Sequence, residues 1–469
     1  MNRRAASPLP LPLTPFEAYM VRDDRPGYPM VFPFGFRFRG EIQRAALQAA
    51  WSDTVAEEPL LSARVERRHS GWRWVEANEP PPLQWRDLPE APPDGRGRVP
   101  VQPIDLRTGP AARLVVEAAP GGATVIGYFH HAAADGLGAK RVLCDLFARY
   151  GQITGDPEGL QTPPPDPAKL ARRADVRVAP PEPVSSLQVA KTLGAETYKW
   201  LARRPQPLAS ARAIEPGGTS VTLWRRLPEG VLPALRGRAA DLGVTVNDLL
   251  LRDLLRLLAE RISASGAGPG SWLRVLVPTD LRRRWHAGCP AANIFGYAFL
   301  TRSLSQCGPS RHALLGDGSL EDGLLTGISE EMRTVKYWSL GTIFLDALKL
   351  FHAVPGLLAA TASPRLCHAT SVLSNVGALH VGVRQARFRR DRTIRVGGLV
   401  LQDVFAAPPV RPGTAASFLV ALHAGGFNLC MGFDPNALAD DEANGLLDAY
   451  AERLRATAGS GAAAHRAIA

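Results

Sequence analysis

Two adjacent histidines, His130 and His131, followed by Asp135 and Gly136, carry the most chemically suggestive spacing in this chain of 469 residues. They close the apolar run VIGYF and precede the helical pattern GAKRVLCDLFARYGQ, so HHAAADG marks the point where a strand gives way to a helix. A packed core gains little from a polar histidine pair at a strand end. A reaction centre gains a base: imidazole titrates near neutral pH, takes a proton from a hydroxyl or amine and returns it to a leaving group. Asp135 can turn back beneath an imidazole, and Gly136 and Gly138 would permit a tight turn and close approach of a substrate. A shared metal is the alternative use of such a pair. Adjacent histidines rarely both reach one ion, and no carboxylate or histidine cluster stands at ligand spacing, so no metal is expected.

Fewer signals accompany the motif. Ser374 and Asn375 end the apolar run TSVL and could donate hydrogen bonds to a developing oxyanion, or simply form a turn. Arg282 opens the basic run RRRW, which either meets a phosphate-bearing substrate or is a solvated face. Asn247 and Asp248 read as a helix cap, and His368 and His423 as structural.

The elements that must position these residues are readable from periodicity. MVFPFGFRFRG has strand character and is followed by the helical EIQRAALQAAWSDTVAEE; LLSARVERR with GWRWVEA, and AARLVVEAA with ATVIGYFHH, read as hairpins. Residues 156–215 change character: proline-rich stretches flank a basic helical patch, VAKTLGAETYKWLARR, as in a linker or crossover. Beyond it come two helical patterns, VLPALRGRAADLG and TVNDLLLRDLLRLLAERI. Six strand-like runs from WLRVLVP to FNLCMGFDP follow, then a last helix, NALADDEANGLLDAYAERLRA. The length exceeds what one core usually organises. The expected fold is α/β with two lobes, each a sheet covered by helices: residues 1–155 carrying the histidine pair and residues 216–469.

Five scattered cysteines without close pairing argue against a disulfide framework and fit a reducing cytoplasm. The most apolar long segment, residues 337–362, is interrupted by Asp346, Lys349, His352 and Pro355. It reads as a buried or groove-lining helix, with peripheral membrane contact as the other reading, and not as a transmembrane span. The formal charge of +11 favours acidic partners. Its arginines are dispersed and no nucleic-acid module is recognisable, so nucleic acid is not the expected partner.

The motif HHAAADG resembles the HHxxxDG active-site sequence of the condensation-domain and acyltransferase superfamily. That group includes peptide-synthetase condensation domains, wax ester synthase/diacylglycerol acyltransferases, polyketide-associated acyltransferases and alcohol acetyltransferases. FEAYM, EEPLLSARV, PIDLRTGPAARLVV, TVNDLLLRDLLRLL and VLVPTDLR resemble further segments of the same family, while SNVGAL departs from its SNVPGP-type strand. The resemblance implies two chloramphenicol-acetyltransferase-like lobes with a channel between them. It makes His131 the general base, His130 an orienting or channel-lining residue, and Asp135 a structural partner of an arginine, either Arg64 or Arg282. It implies transfer of an acyl group to a hydroxyl or amine from coenzyme A or an acyl-carrier protein, with no further cofactor. The chain ends soon after the second lobe with no adenylation or carrier domain adjoining, which favours a stand-alone enzyme of lipid or secondary metabolism. A catalytically inactive descendant that binds acyl or lipid ligands is the competing reading.

Overall fold

The computed structural model describes residues 7–69, 71–91, 94–156, 163–176, 186–209, 219–308, 323–379, 394–423 and 426–466. The first half runs β1 (Leu11–Pro12), α1 (Pro15–Asp23), β2 (Val31–Arg39) and α2 (Arg44–Val55). The hairpin β3 (Ala63–Arg68) and β4 (Gly71–Glu76) follows, then β5 (Leu83–Asp87) and β6 (Arg96–Pro100). A second hairpin, β7 (Ala112–Ala119) and β8 (Gly122–His130), leads into α3 (Gly136–Ile153). The crossover contains a 3-10 turn at Pro167–Arg172 and α4 (Ser186–Ala202). Next come β9 (Val221–Leu227), α5 (Val231–Asp241), α6 (Val246–Ala264), β10 (Trp272–Asp280) and β11 (Phe295–Ser303). Four helices follow, α7 (Leu304–Cys307), α8 (Gly323–Tyr337), α9 (Gly341–Ala353) and α10 (Leu357–Thr361). The chain closes with β12 (Ser371–Ala378), β13 (Arg395–Val396), β14 (Leu399–Ala406), β15 (Ala416–His423), β16 (Gly426–Phe433) and α11 (Asp440–Arg466).

Two large mixed sheets carry the fold, as the α/β reading expects. One has the order β13-β14-β2-β8-β7-β5 and the other β11-β10-β12-β15-β16-β9-β6; a small third sheet is β1-β4-β3. One apolar core covers the first sheet and takes in Trp224, Phe295, Leu419 and Cys430 of the second; another is formed by the second sheet with α5, α6, α8 and α11. The sheets do not respect the sequence halves, however. β6 leaves the first half to pair with β9, and β13 and β14 leave the second half to pair with β2. The run TIRVGGLVLQDVF, read from sequence as a strand of the second lobe, therefore belongs to the sheet that carries the histidine pair. Burial explains the choice. β2 is buried along nearly its whole length, so it needs a partner on each side, and β8 occupies only one.

The exchange is locked by an aromatic stack. Phe405 of β14 lies over Gly35 of β2, where a Cβ atom would come within 2.1 Å of its ring. Trp224 of β9 stacks on Phe405 with centroids 4.0 Å apart, and Gly97 of β6 lies under Trp224. Beside the stack, buried Asp403 accepts from Arg226 (2.7 Å) and Asn428 (3.1 Å). The hydrogen-bonding and packing that join the two sheets are thus built from strands that each half lends the other.

The cap read at Asn247 and Asp248 is borne out for Asp248 and corrected for Asn247, which lies in the first turn of α6 and takes no part in the capping box. Thr245 and Asp248 form a reciprocal capping box at the start of α6, with Thr245 N donating to Asp248 Oδ2 at 2.8 Å. The apolar 337–362 segment is broken into the end of α8, α9 and α10, with Pro355 between the last two. Among the described residues no helix is long and apolar enough to cross a membrane.

Candidate active site

β8 is a central strand, paired with β2 and β7, and its last residue is His130. His131 follows as the chain leaves the sheet, its backbone N–H donating to Met30 O at 2.6 Å. The alternation that buries Phe129 and the turn that follows send the two imidazoles in different directions. His130 is fully buried; its Nδ1 accepts from Ala132 N at 3.1 Å, and its Nε2 lies 3.6 Å from Asp24 Oδ2. It braces the turn and does not line the cavity, so the channel-lining alternative is corrected. His131 is only half-buried and faces a cavity of about 100 Å³ between the two large sheets.

That cavity gathers residues far apart in sequence. His131, Asp135, Gly136, Arg282, Ser374 and Asn375 all line it, together with Phe32 and Phe295. Phe295 stacks on the His131 ring with centroids 5.4 Å apart, and Phe32 flanks it at 5.0 Å. These rings exclude water from one side of the imidazole. Burial lowers the His131 pKa, and the polar groups of its own backbone, Asp135 and Asn293 oppose that shift without reversing it. The ring is therefore neutral, and able to accept a proton, at neutral pH.

Asp135 is the N-cap of α3, its Oδ1 accepting from Gly138 N at 2.8 Å. The same oxygen accepts from Arg282 at 2.8 Å, while Oδ2 accepts from Ile294 N at 2.9 Å. Burial by itself would raise this carboxyl; the Arg282 charge and the hydrogen bonds hold it below the usual aspartate value. Arg282 also meets Asp280 at 3.2 Å. Of the two arginines considered from sequence, Arg64 pairs instead with Glu66 on its own strand, at 2.9 Å. Gly136 and Gly138 lie in the first turn of α3, and neither is among the glycines with positive φ, so the tight-turn reason is corrected. What Gly136 supplies is closeness: a Cβ there would come within 3.2 Å of Val376 on β12.

Ser374 and Asn375 reach the cavity because β12 lies next to β10 in the second sheet, opposite α3. Asn375 Oδ1 accepts from Gly377 N at 2.9 Å, which is turn-forming use of the side chain. Lys140 of α3 ties this strand to the first sheet by donating to Val376 O at 2.6 Å and Ala378 O at 3.2 Å. Among the described residues no group of three His, Cys, Asp or Glu could hold a metal ion.

Sequence reasoning did not find Asn293. It sits on the connection between β10 and β11, and its Nδ2 donates to His131 O at 2.5 Å and Ala132 O at 2.8 Å. The neighbouring Ala291 N donates to buried Glu58 Oε2 at 2.6 Å. The only sequence signal was a polar residue inside the apolar run AANIF, which by itself says nothing about its partner. Asn293→Ala would leave both carbonyl groups without this donor, at a cost of about 1–3 kcal/mol. Urea melts should show that loss, and kcat should fall while KM changes little, because the turn bearing His131 loosens. An unchanged kcat would remove Asn293 from the positioning of the histidine.

Comparison of the sequence yields no matching family model and no matching curated protein. Solved structures do match along nearly the whole chain. The SgcC5 protein from Streptomyces globisporus, in complex with (R)-(-)-1-(2-naphthyl)-1,2-ethanediol and sucrose, is 18% identical with a TM-score of 0.64, covering 96% of this chain and 99% of its own. The first condensation domain of the calcium-dependent antibiotic synthetase is 15% identical with a TM-score of 0.65, covering 96% of each chain. Polyketide synthase associated protein 5 from Mycobacterium tuberculosis is 18% identical with a TM-score of 0.59, covering 94% of this chain and 96% of its own. At these identities the likeness is one of fold: the chain has the two-lobed architecture of condensation domains.

Proposed function

We propose that this chain, which has the condensation-domain fold, is an acyltransferase that moves an acyl group from a thioester to a hydroxyl or amine. The donor is an acyl-CoA or an acyl-carrier protein, and no cofactor beyond that thioester is required. The observation that carries this reading is His131 facing a small cavity between the two sheets, its ring flanked by Phe32 and Phe295. His131 takes the proton of the acceptor O–H or N–H as the acceptor oxygen or nitrogen attacks the thioester carbonyl. The tetrahedral intermediate then collapses, the C–S bond breaks, and the imidazolium returns its proton to the departing thiolate. Donor and acceptor meet directly, so no acyl-enzyme forms. Ser374, on the wall of the cavity, is the candidate donor to the oxyanion.

Asp135 and Arg282 act on geometry. Their ion pair fixes the start of α3 to the connection between β10 and β11, and with it the turn that presents His131. His130 serves the same turn from inside the first lobe.

The test is incubation with a panel of acyl thioesters and candidate alcohols and amines, followed by thiol release and product mass. Release of thiol with a matching ester or amide mass supports the reading. Hydrolysis alone would make the chain a thioesterase, and no release across the panel while ligands still bind would leave a binding protein that kept the cleft.

A further inference from the structure

The cavity at His131, about 100 Å³, holds little more than reacting groups, yet a second cavity of about 650 Å³ lies along the same strand. Phe295, Tyr297, Phe299 and Thr301 alternate along β11 and so share one face of the second sheet. Phe295 packs on His131, and the next three line the larger space. Its walls carry six aromatic rings of Phe, Tyr and Trp from four elements: Tyr19, Trp200, Tyr297, Phe299, Phe344 and Phe351. The volume falls in the range of about 300–1,000 Å³ that buries most of a drug-sized ligand.

The walls are built. Arg274 is buried beneath α4 and donates to the carbonyl oxygens of Lys199 (3.0 Å) and Arg203 (2.8 Å), and to Thr301 Oγ1 (3.1 Å). That ties α4 to the sheet as one side of the cavity. The opposite side is α9, which meets β11 so closely that a Cβ on Gly296 would come within 2.1 Å of Gly341 O. Three of the charged groups at the rim are paired: Lys199 with Glu196 (2.7 Å) and Glu331 (3.4 Å), and Glu331 again with Arg302 (2.7 Å). His368, also on the wall, has its Nε2 2.8 Å from Thr361 O and its ring stacked on Trp200 with centroids 5.7 Å apart. The space therefore selects for apolar surface, which gains by leaving water. Leu201, 63% exposed, marks an apolar edge toward solvent.

We infer that this cavity binds the apolar body, alkyl or aryl, of one substrate, whose reacting end reaches His131 past the rings of Phe295, Tyr297 and Phe344. Those rings pack at 5.3 Å (Phe295–Tyr297) and 5.0 Å (Tyr297–Phe344), edge-on or tilted, and form the partition between the two spaces. The inference rests on the acyltransferase reading for the identity of the reacting end, but not for the existence of the site.

The probe is the neutral fluorophore N-phenyl-1-naphthylamine, titrated into the full chain and three variants. Wild type and His131→Ala should bind it equally. Ala347→Trp on α9 and Thr334→Trp on α8 place an indole in the cavity from two sides, and each should weaken binding at least tenfold; Thr334 is exposed, so that variant tolerates the larger side chain. Displacement by decanoyl-CoA but not decanol assigns the cavity to the donor, and the reverse assigns it to the acceptor. Unchanged binding in both tryptophan variants, or no binding to wild type, would overturn the site. Absence of acyl transfer with intact probe binding would instead sink the acyltransferase reading and leave the site standing.

Discussion

His131→Ala is expected to retain donor binding while losing about 10²–10⁴-fold in acyl transfer, the usual contribution of a positioned base. The loss is bounded because the cleft still brings donor and acceptor together. The pH profile carries a second readout. The wild-type rate should rise with pH as the imidazolium loses its proton. Because burial stabilises the neutral ring, the inflection should fall below the ordinary histidine value of 6.5, lower than the motif alone would suggest. The variant should lose that inflection. His130→Ala should do less to turnover and more to stability, since that ring is buried and holds the turn rather than facing the cavity. Equal rates for wild type and His131→Ala on a verified substrate pair would defeat the mechanism.

Asp135→Asn is expected to be the most damaging isosteric change for the stability of the site. The carboxylate satisfies three donors: Arg282 and Gly138 N on one oxygen, and Ile294 N on the other. An amide offers only one acceptor oxygen, so its NH2 group must face an N–H or the guanidinium, and the Arg282 charge loses its buried partner. Removing one member of a buried pair costs about 3–5 kcal/mol, and Arg282 keeps Asp280, which puts the expectation at the lower end. Soluble yield and melting temperature should fall together with activity. The pH dependence follows from the depressed pKa of Asp135. Its stabilisation is full above the unfolded-state value and is lost as pH falls through the folded value, so the acid unfolding limb of wild type should flatten in the variant. Full stability with loss of turnover alone would make Asp135 a direct participant in the chemistry.

Local physics made the centre of this site legible in one dimension. An apolar alternating run must end somewhere, and His130 ends β8, with the helical run after Gly136 becoming α3; Asp135, expected to turn back beneath an imidazole, instead caps that helix and pairs with Arg282. The same reasoning placed Asp248 in the cap of α6 and the break at Pro355. These features depend on neighbours within a few residues, which periodicity and capping chemistry describe.

What only the tertiary structure decided are the pairings across long stretches of chain. Arg64 and Arg282 are alike as guanidinium groups, and the choice fell to Arg282 because the β10–β11 connection folds over the start of α3, whereas Arg64 finds Glu66 on its own strand. Asn293 matters because the carbonyl oxygens of His131 and Ala132, in the turn after β8, come within its reach. The exchange of β6 and β14 follows from strands buried on both edges, a demand that any apolar strand of suitable length could meet. The aromatic cavity draws rings from α1, α4, β11 and α9, and each of these residues alone reads as ordinary core. Periodicity specifies which face of an element is apolar; which other element covers that face depends on the register and packing of the whole chain.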